Sequence, residues 1–504
     1  MNLTMLLEMA ADAGPDRIAV GTREHGLTYR ELFDRSRDLA DRLRSAGHRN
    51  VAVLDLNTAA VPVLLFGSAM AGVPFAPLNY RLTDAQLADA TARLAPVLVA
   101  AGPTARGRLA ARDGVTILPT DEVVTPSADD PGADLPFTDP DDPAVLLFTS
   151  GTTGAPKAAV LRHRHLAGYI VGSVEFWNAG EDEAILVSVP NYHIAGVSSI
   201  LSSVYAGRRM VQLPQFSPEG WVEVAAAEGI TQAMVVPTML GRILDVIEAT
   251  GTELPALRAL SYGGGRMPLQ TIERAMRLLP EVGFVNAYGL TETSSTISIL
   301  GPEDHRAAWA SDVPEVRARL GSVGQPLPSI ELEIRDQDGN PVPAGEPGEV
   351  YVRGEQVAGE YTSHSAIDAD GWYPTRDRGY LDAEGYLFLD GRADDVIVRG
   401  GENISPGEVE EALLCHPSVA EAAVVGVPDA EWGERVEAVV VATSGQCVSE
   451  TELREWIRQR LRSTRVPARV HEWTELPYTE TGKLLRRTLR EALAADARTP
   501  EMAR

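Results

Sequence analysis

The chain has 504 residues, enough for two to four domains and too many for a single small module. Apolar residues make up 44% and charged residues 23%, which excludes disorder, collagen or coiled coil as a reading of the whole chain. Lys plus Arg number 45 against 71 Asp plus Glu, a formal charge of −26, so nucleic acid is not an expected partner and a small anion needs a local cradle of backbone N–H groups, Lys and Arg.

The N-terminal stretch has no basic region, and Glu8 interrupts its short apolar run, so a signal peptide is not expected. Thr28 precedes a segment of helical periodicity that stops at Gly47, and VAVLDL (51–56) reads as a buried strand. No charge occurs between Asp55 and Arg81, a span long enough for a bilayer. Pro62, Pro74 and Pro77 with Gly67 and Gly72 break it, so a buried helix over about 61–71 is expected and no membrane span. Residues 126–143, acidic and proline-rich, read as a surface loop.

From 144 a β-then-α rhythm sets in: AVLLFTS, a Gly/Thr loop, a helix after His163, AILVSVP, a helix over 193–207, and further alternation to FVNAYG (284–289). Such alternation implies parallel sheet layers covered by helices. Near 321 it gives way to short strands separated by Gly, Pro and Asp-Gly turns, a small antiparallel β unit, and about 393–504 reads as a separate helix-rich, mixed lobe. Cys415 and Cys447 make no disulfide framework and no zinc-finger spacing. They read as small apolar residues without a nucleophilic role and fit a reducing cytoplasm.

The strongest local pattern is Thr149-Ser150-Gly151-Thr152-Thr153-Gly154-Ala155-Pro156-Lys157, placed after an apolar strand and before a helix. Glycines let successive N–H groups face one anion, hydroxyls add donors and Lys157 adds charge, which is the chemistry of a phosphate cradle. It lacks the GxxxxGK[ST] order of a Walker loop. A second cluster, Asn286-Ala287-Tyr288-Gly289-Leu290-Thr291-Glu292-Thr293, again follows a strand. Taken alone it reads as a core tyrosine and a solvated carboxylate; in combination, Tyr288 offers a face to a base and Glu292 a hard oxygen to a cation.

Five more segments complete the set: SYGGGRMP (261–268), between the two clusters, then YPTRDRGYLD (373–382), GRADDVIVRGGENISPGEVE (391–410), AEWGERVEAVVV (430–441) and PYTETGKLLRR (477–487). In this order and spacing the set resembles the adenylate-forming superfamily: acyl-CoA synthetases, adenylation domains of nonribosomal peptide synthetases, and luciferases. The resemblance runs from about residue 15 to 490 and is strongest to an acyl-CoA ligase. It implies an α/β fold: a large N-terminal lobe of two helix-covered, parallel-type sheets plus a small β-barrel, and a smaller mobile α+β C-terminal lobe. The expected division is 1–391, with a β-rich part at about 321–391, and 392–504 as a lid carrying the catalytic lysine.

The resemblance implies ATP and Mg²⁺, with a carboxylic acid transferred to the α-phosphate and then to CoA as co-substrate. The loop Thr149–Lys157 would hold the β- and γ-phosphates. Gly263, Gly264 and Gly265 would border adenine and acid, and Asn286, Ala287, Tyr288 and Gly289 would contact adenine, Tyr288 by stacking. Thr291 would donate to the α-phosphate and Glu292 would ligate Mg²⁺. Asp377 would accept from the ribose hydroxyls and Arg392 would contact ribose or phosphate. Asp394 falls at the hinge, and Gly400, Gly401, Glu402 and Asn403 would shape the pantetheine tunnel. Lys483 would bridge the acid carboxylate and the α-phosphate. His193, in Pro190-Asn191-Tyr192-His193, matches a residue that gates the acid site; a hydrogen-bonded histidine at a helix start is the plainer reading.

Three departures from the family pattern stand out: Ala158 and Arg376 in place of frequent glycines, and Arg266 in place of a frequent proline. No acidic residue follows Tyr192 and His193, where amino-acid-activating relatives hold an α-amino group, so a non-amino acid is expected. The small residues Ala195, Gly196, Gly263, Gly264 and Gly265 and the apolar Val197, Val235 and Val236 suggest room for a bulky hydrophobic or aryl acid. The alternative acceptor is a carrier-protein phosphopantetheine, and a catalytically silent relative is disfavoured because Lys483, Glu292 and Asp377 are all present. High Ala and Arg usage points to a GC-rich bacterial genome. The acid, the pathway and the choice of monomer or homodimer are not legible.

Overall fold

The computed structural model describes residues 1–109, 112–125, 137–149, 157–400, 402–429, 431–443, 445–479 and 484–496. The helix expected after Thr28 runs Tyr29–Ala46. Thr28 and Glu31 form a reciprocal capping box, and Gly47 ends it at φ +69°, a left-handed position that glycine occupies without penalty. The uncharged stretch folds as the helix Ala60–Ala71, buried on nearly every face, which is why it carries no polar stripe. Among the described residues no helix is long and apolar enough to cross a membrane.

Two large sheets form the main body. The nine-stranded sheet runs, in spatial order, Gln325–Pro326, Ser295–Leu300, Gly283–Leu290, Ala259–Gly263, Gln232–Val235, Ala184–Val187, Arg209–Gln212, Ile18–Gly21 and Gly26–Thr28. Its centre is parallel, and antiparallel strands close both edges. The eight-stranded sheet runs His364–Ser365, Glu360–Tyr361, Lys157–Arg162, Pro143–Thr149, Phe75–Pro77, Asn50–Leu54, Val97–Ala101 and Val115–Pro119. The helices Leu3–Ala13, Tyr29–Ala46, Ala60–Ala71 and Ile194–Ala206 contribute buried apolar residues to one shared core with strands of both sheets.

The antiparallel β unit is the ladder Glu331–Arg335, Gly348–Arg353, Tyr373–Leu381 and Leu387–Arg392. The short strands at 360–365, inside its sequence span, join the eight-stranded sheet instead. Beyond the turn Ala393–Asp395 the chain builds a five-stranded sheet with its own apolar core around Ile397, Val409, Val436 and Leu453. Cys415 and Cys447 are exposed there, not apolar filling as expected. The exposed pair Arg266–Glu411 (2.7 Å) and the bond from Gln270 Nε2 to Leu414 O (3.0 Å) dock the helix Pro406–Leu414 on the large lobe.

Candidate active site

The phosphate-cradle segment begins at Thr149, the last residue of its strand. Ser150, Gly151, Thr152, Thr153, Gly154, Ala155 and Pro156 lie outside the described residues. The expected helix does not follow directly. Lys157 opens a second strand, and Thr149↔Lys157 and Phe148↔Ala158 pair antiparallel, so the segment joins a hairpin. Ala158, Ala159, Val160 and Leu161 are all buried on that strand, and the helix starts only at His163.

The adjacent strands Ala259–Gly263 and Gly283–Leu290 run parallel, with Gly263 opposite Ala287. A side chain at Gly263 would collide with the Ala287 carbonyl oxygen, so this glycine is set by a neighbouring strand. Gly264 follows at φ +79°. Asn286 is buried and its Nδ2 donates to Ser322 O (2.9 Å), which commits that end of the amide to the scaffold.

Tyr288 Oη donates to Asp377 Oδ2 (2.6 Å), and Arg392 Nη1 donates to Asp377 Oδ1 (3.0 Å). Burial, and after it the Asp377 charge, pushes the Tyr288 phenol well above its ordinary range, so it stays a neutral donor. Asp377 and Arg392 face each other across two strands. Arg376, beside them, sits at φ +64° where the family favours glycine. A side chain there costs about 1–2 kcal/mol, partly offset by the entropy that glycine loses on folding. Arg376→Gly is therefore expected to raise unfolding stability by up to about 1 kcal/mol, read from a denaturant midpoint.

Past Gly289 and Leu290 a short turn, Thr291–Thr293, carries Glu292. The Glu292 carbonyl accepts from Ala358 N (2.8 Å) and Gly359 N (2.9 Å), and its carboxylate Oε1 accepts from Tyr361 Oη (2.5 Å). Among the described residues no cluster of three or more His, Cys, Asp or Glu could hold a metal. A divalent cation at Glu292 therefore needs phosphate oxygens and water to complete its shell, as Mg²⁺ commonly does. One carboxylate oxygen receiving no donor from a described side chain fits that demand.

His193 is the cap residue of the helix Ile194–Ala206, and its side chain makes no cap bond. Its ring lies 4.8 Å from that of Tyr192, which meets Tyr80 edge-on at 5.6 Å. Ser198 Oγ, on the same helix, accepts from Ser295 Oγ at 3.2 Å, so the aromatic corner and the Glu292 turn are tied together. Gly196 is buried against Pro190 O, 2.6 Å from where a Cβ would stand, and Val236 is core; Ala195 is half-buried. Val197 and Val235 are also core residues.

On the small lobe Gly400 takes φ +58°, beneath the ring of Trp432, and Glu402 pairs with Arg465, which holds its carboxyl below the usual range. Gly401 and Lys483 lie outside the described residues, and Asn403 is in the strand Glu402–Ile404. Tyr478 and Leu484, on either side of Lys483, form an antiparallel bridge. Arg486 binds Glu410 (Nη2–Oε2 2.9 Å) and reaches Asp395 (3.5 Å), the residue after the expected hinge. Tyr361, Tyr80 and Arg486 were not anticipated from sequence; the two tyrosines stand in no glycine-rich or charged constellation, and Arg486 lies within PYTETGKLLRR, where Lys483 carries the resemblance.

Residues 7–362 match the AMP-binding enzyme family, and residues 408–483 match the AMP-binding enzyme C-terminal domain. The chain belongs to the AMP-binding enzyme family. Within it, a feruloyl-CoA synthase from an Amycolatopsis species is 34% identical over 95% of this chain and 96% of its own. The fatty acid–[acyl-carrier-protein] ligase ScoC of Streptomyces coeruleorubidus is 33% identical over 96% and 95%. The o-succinylbenzoate CoA synthetase MenE of Bacillus subtilis, solved with ATP and magnesium, superposes with a TM-score of 0.83 at 31% identity, covering 96% of this chain and 98% of MenE.

Proposed function

We infer that this AMP-binding enzyme is an acid–thiol ligase that adenylates a carboxylic acid with ATP and transfers the acyl group to CoA. The observation that carries the reading is the convergence of Tyr288, Asp377 and Arg392, from separate sequence motifs, on one hydrogen-bonded set. A carboxylate is a poor electrophile because its leaving group would be an oxide. Attack of its oxygen on the α-phosphorus forms a C–O–P anhydride and releases pyrophosphate. Thiolate attack on the acyl carbon then forms the thioester and releases AMP.

In this reading Asp377 accepts from ribose, Tyr288 packs on adenine, Glu292 holds Mg²⁺ and Thr291 meets the α-phosphate. Magnesium, when bound, supplies charge neutralisation on the phosphates. Lys157 and the residues before it hold the terminal phosphates. Lys483 approaches from a lid spanning 392–504, which turns at Asp394 relative to 1–391, and Gly400–Asn403 line the thiol's path. Tyr192 and His193 offer an aromatic wall, and no acidic anchor for an amino group follows them. This favours a bulky hydrophobic or aryl acid, in line with the acids named for the feruloyl and o-succinylbenzoate relatives.

A second acceptor, the phosphopantetheine of a carrier protein, draws support from the similarity to ScoC. Acid-dependent ATP–pyrophosphate exchange over a panel of aryl, aliphatic and amino acids tests the first step, and thioester formation with free CoA against a holo carrier protein tests the second. The expected result is exchange with aryl or bulky acids and a CoA thioester. Exchange with amino acids alone overturns the substrate reading, and transfer only to carrier overturns the CoA reading.

A further inference from the structure

Tyr361 lies on a two-residue strand, Glu360–Tyr361, that touches both anion-handling parts of the site. It pairs with the strand opened by Lys157: Tyr361 stands opposite Ala159, and Thr362 N donates to Ala158 O at 3.0 Å. Arg162, at the end of that strand, clasps Glu360 through two bonds of 2.7 and 2.8 Å. On the other side, Ala358 N and Gly359 N hold the backbone of Glu292, and the Tyr361 hydroxyl holds its carboxylate. The Tyr361 ring lies 6.0 Å from Lys157 Nζ and stacks on His364 at 5.0 Å. One side chain thus reaches a cation at the phosphate hairpin and the carboxylate expected to bind metal.

We propose that Tyr361 is the positioning residue for the metal-binding carboxylate, its hydroxyl engaging Glu292 Oε1 and leaving Oε2 to the cation. The proposal rests on the reading of Glu292 as a metal ligand. A glutamate on a short turn has three side-chain torsions that aim its carboxylate oxygens, and a bound cation must freeze them. A neutral donor on one oxygen fixes the aim before the metal arrives without competing as a second cation would.

The test is Mn²⁺ binding to the full-length protein in the presence of ATP, followed by electron paramagnetic resonance of free Mn²⁺. Tyr361→Phe keeps the ring and removes the donor, and is expected to weaken Mn²⁺ about tenfold. Glu292→Gln is expected to weaken it more than about tenfold. Glu292→Asp draws the carboxylate back by one methylene, out of reach of the hydroxyl. Adding Tyr361→Phe to Glu292→Asp should then change Mn²⁺ affinity by less than about 1.5-fold, because the coupling is already gone. A merely structural tyrosine would give equal losses in both backgrounds, which overturns the proposal. So does an unaltered titration for Tyr361→Phe while Glu292→Gln is weakened. If Glu292→Gln also binds normally, the reading of Glu292 fails and the proposal falls with it.

Discussion

Lys483→Ala is expected to slow acyl-adenylate formation about 10²–10³-fold while leaving thioester formation from supplied acyl adenylate within about threefold of the unaltered enzyme. The first step brings two anions together, the acid carboxylate and the α-phosphate, and charge accumulates between them at the transition state. An ammonium aimed at both oxygens in a water-poor cleft stabilises that charge more than it stabilises the separated reactants. The second step attacks an acyl carbon already joined to a good leaving group, and makes no such demand.

The same substitution bears on lobe motion. The segment that follows Lys483 is fastened to the small lobe, Arg486 by Glu410 and Arg490 by Asp395. The dock to the large lobe is slighter. The side chains of Arg266 and Glu411 are 48% and 57% exposed, and such a pair contributes only about 0–1 kcal/mol. The described dock has beside it the bonds from Gln270 Nε2 to Leu414 O and from Ser405 Oγ to Asp390 O, a small polar set of the kind that hinge motions break and remake. Separate assays of the two half-reactions decide the matter: an equal loss in both would mean that Lys483 stays at the site throughout and the lobe does not alternate.

Much of the arrangement was legible before any coordinates. Strand ends carry the glycine and Thr-Glu motifs because loops at strand termini place side chains over a parallel sheet, and periodicity marks those strands clearly. The helix Ala60–Ala71 was legible because its prolines and glycines exclude a continuous span. The hairpin after the phosphate segment was not. Ala158-Ala159-Val160-Leu161 is a short apolar run without period, and such a run does not declare itself helix or strand. Tyr361 was hidden for a related reason: two residues make a strand only through pairing with a partner about two hundred positions away. At Gly196 and Gly263 the sequence alone suggests room for a ligand, and it does not show that neighbouring backbone also demands their size. The left-handed Ser294 and Ser295 could not be read at all, since nothing in a serine announces positive φ, whereas the glycine frequent at the position of Arg376 was the one signal for its φ of +64°.

Those serines bear on the second large effect. Gly289→Ala is expected to lower adenylation kcat/KM by at least about 10²-fold and to destabilise the protein by about 3 kcal/mol, at the upper end of overpacking costs. Gly289, on the strand Gly283–Leu290, stands opposite Thr296 of the antiparallel strand Ser295–Leu300, at a register shift just past Tyr288. A methyl group there would overlap the Ser295 carbonyl oxygen and stand 2.6 Å from its carbon and 2.9 Å from Thr296 Cα. All three are backbone atoms, which cannot swing aside as a side chain can. The strands must part, and the turn between them, which carries Thr291 and Glu292, must move with them. Ser294 at φ +56° and Ser295 at φ +122° already hold that turn in conformations that side chains rarely adopt. Ser295→Gly relieves the second of these and is the matched control, expected to stabilise by up to about 1 kcal/mol, though it also frees Ser198. Thermal unfolding and ATP–pyrophosphate exchange on both variants separate the outcomes. If Gly289→Ala unfolds at the same temperature and exchanges normally, the two strands have slack at this point, and the turn does not owe its position to their contact.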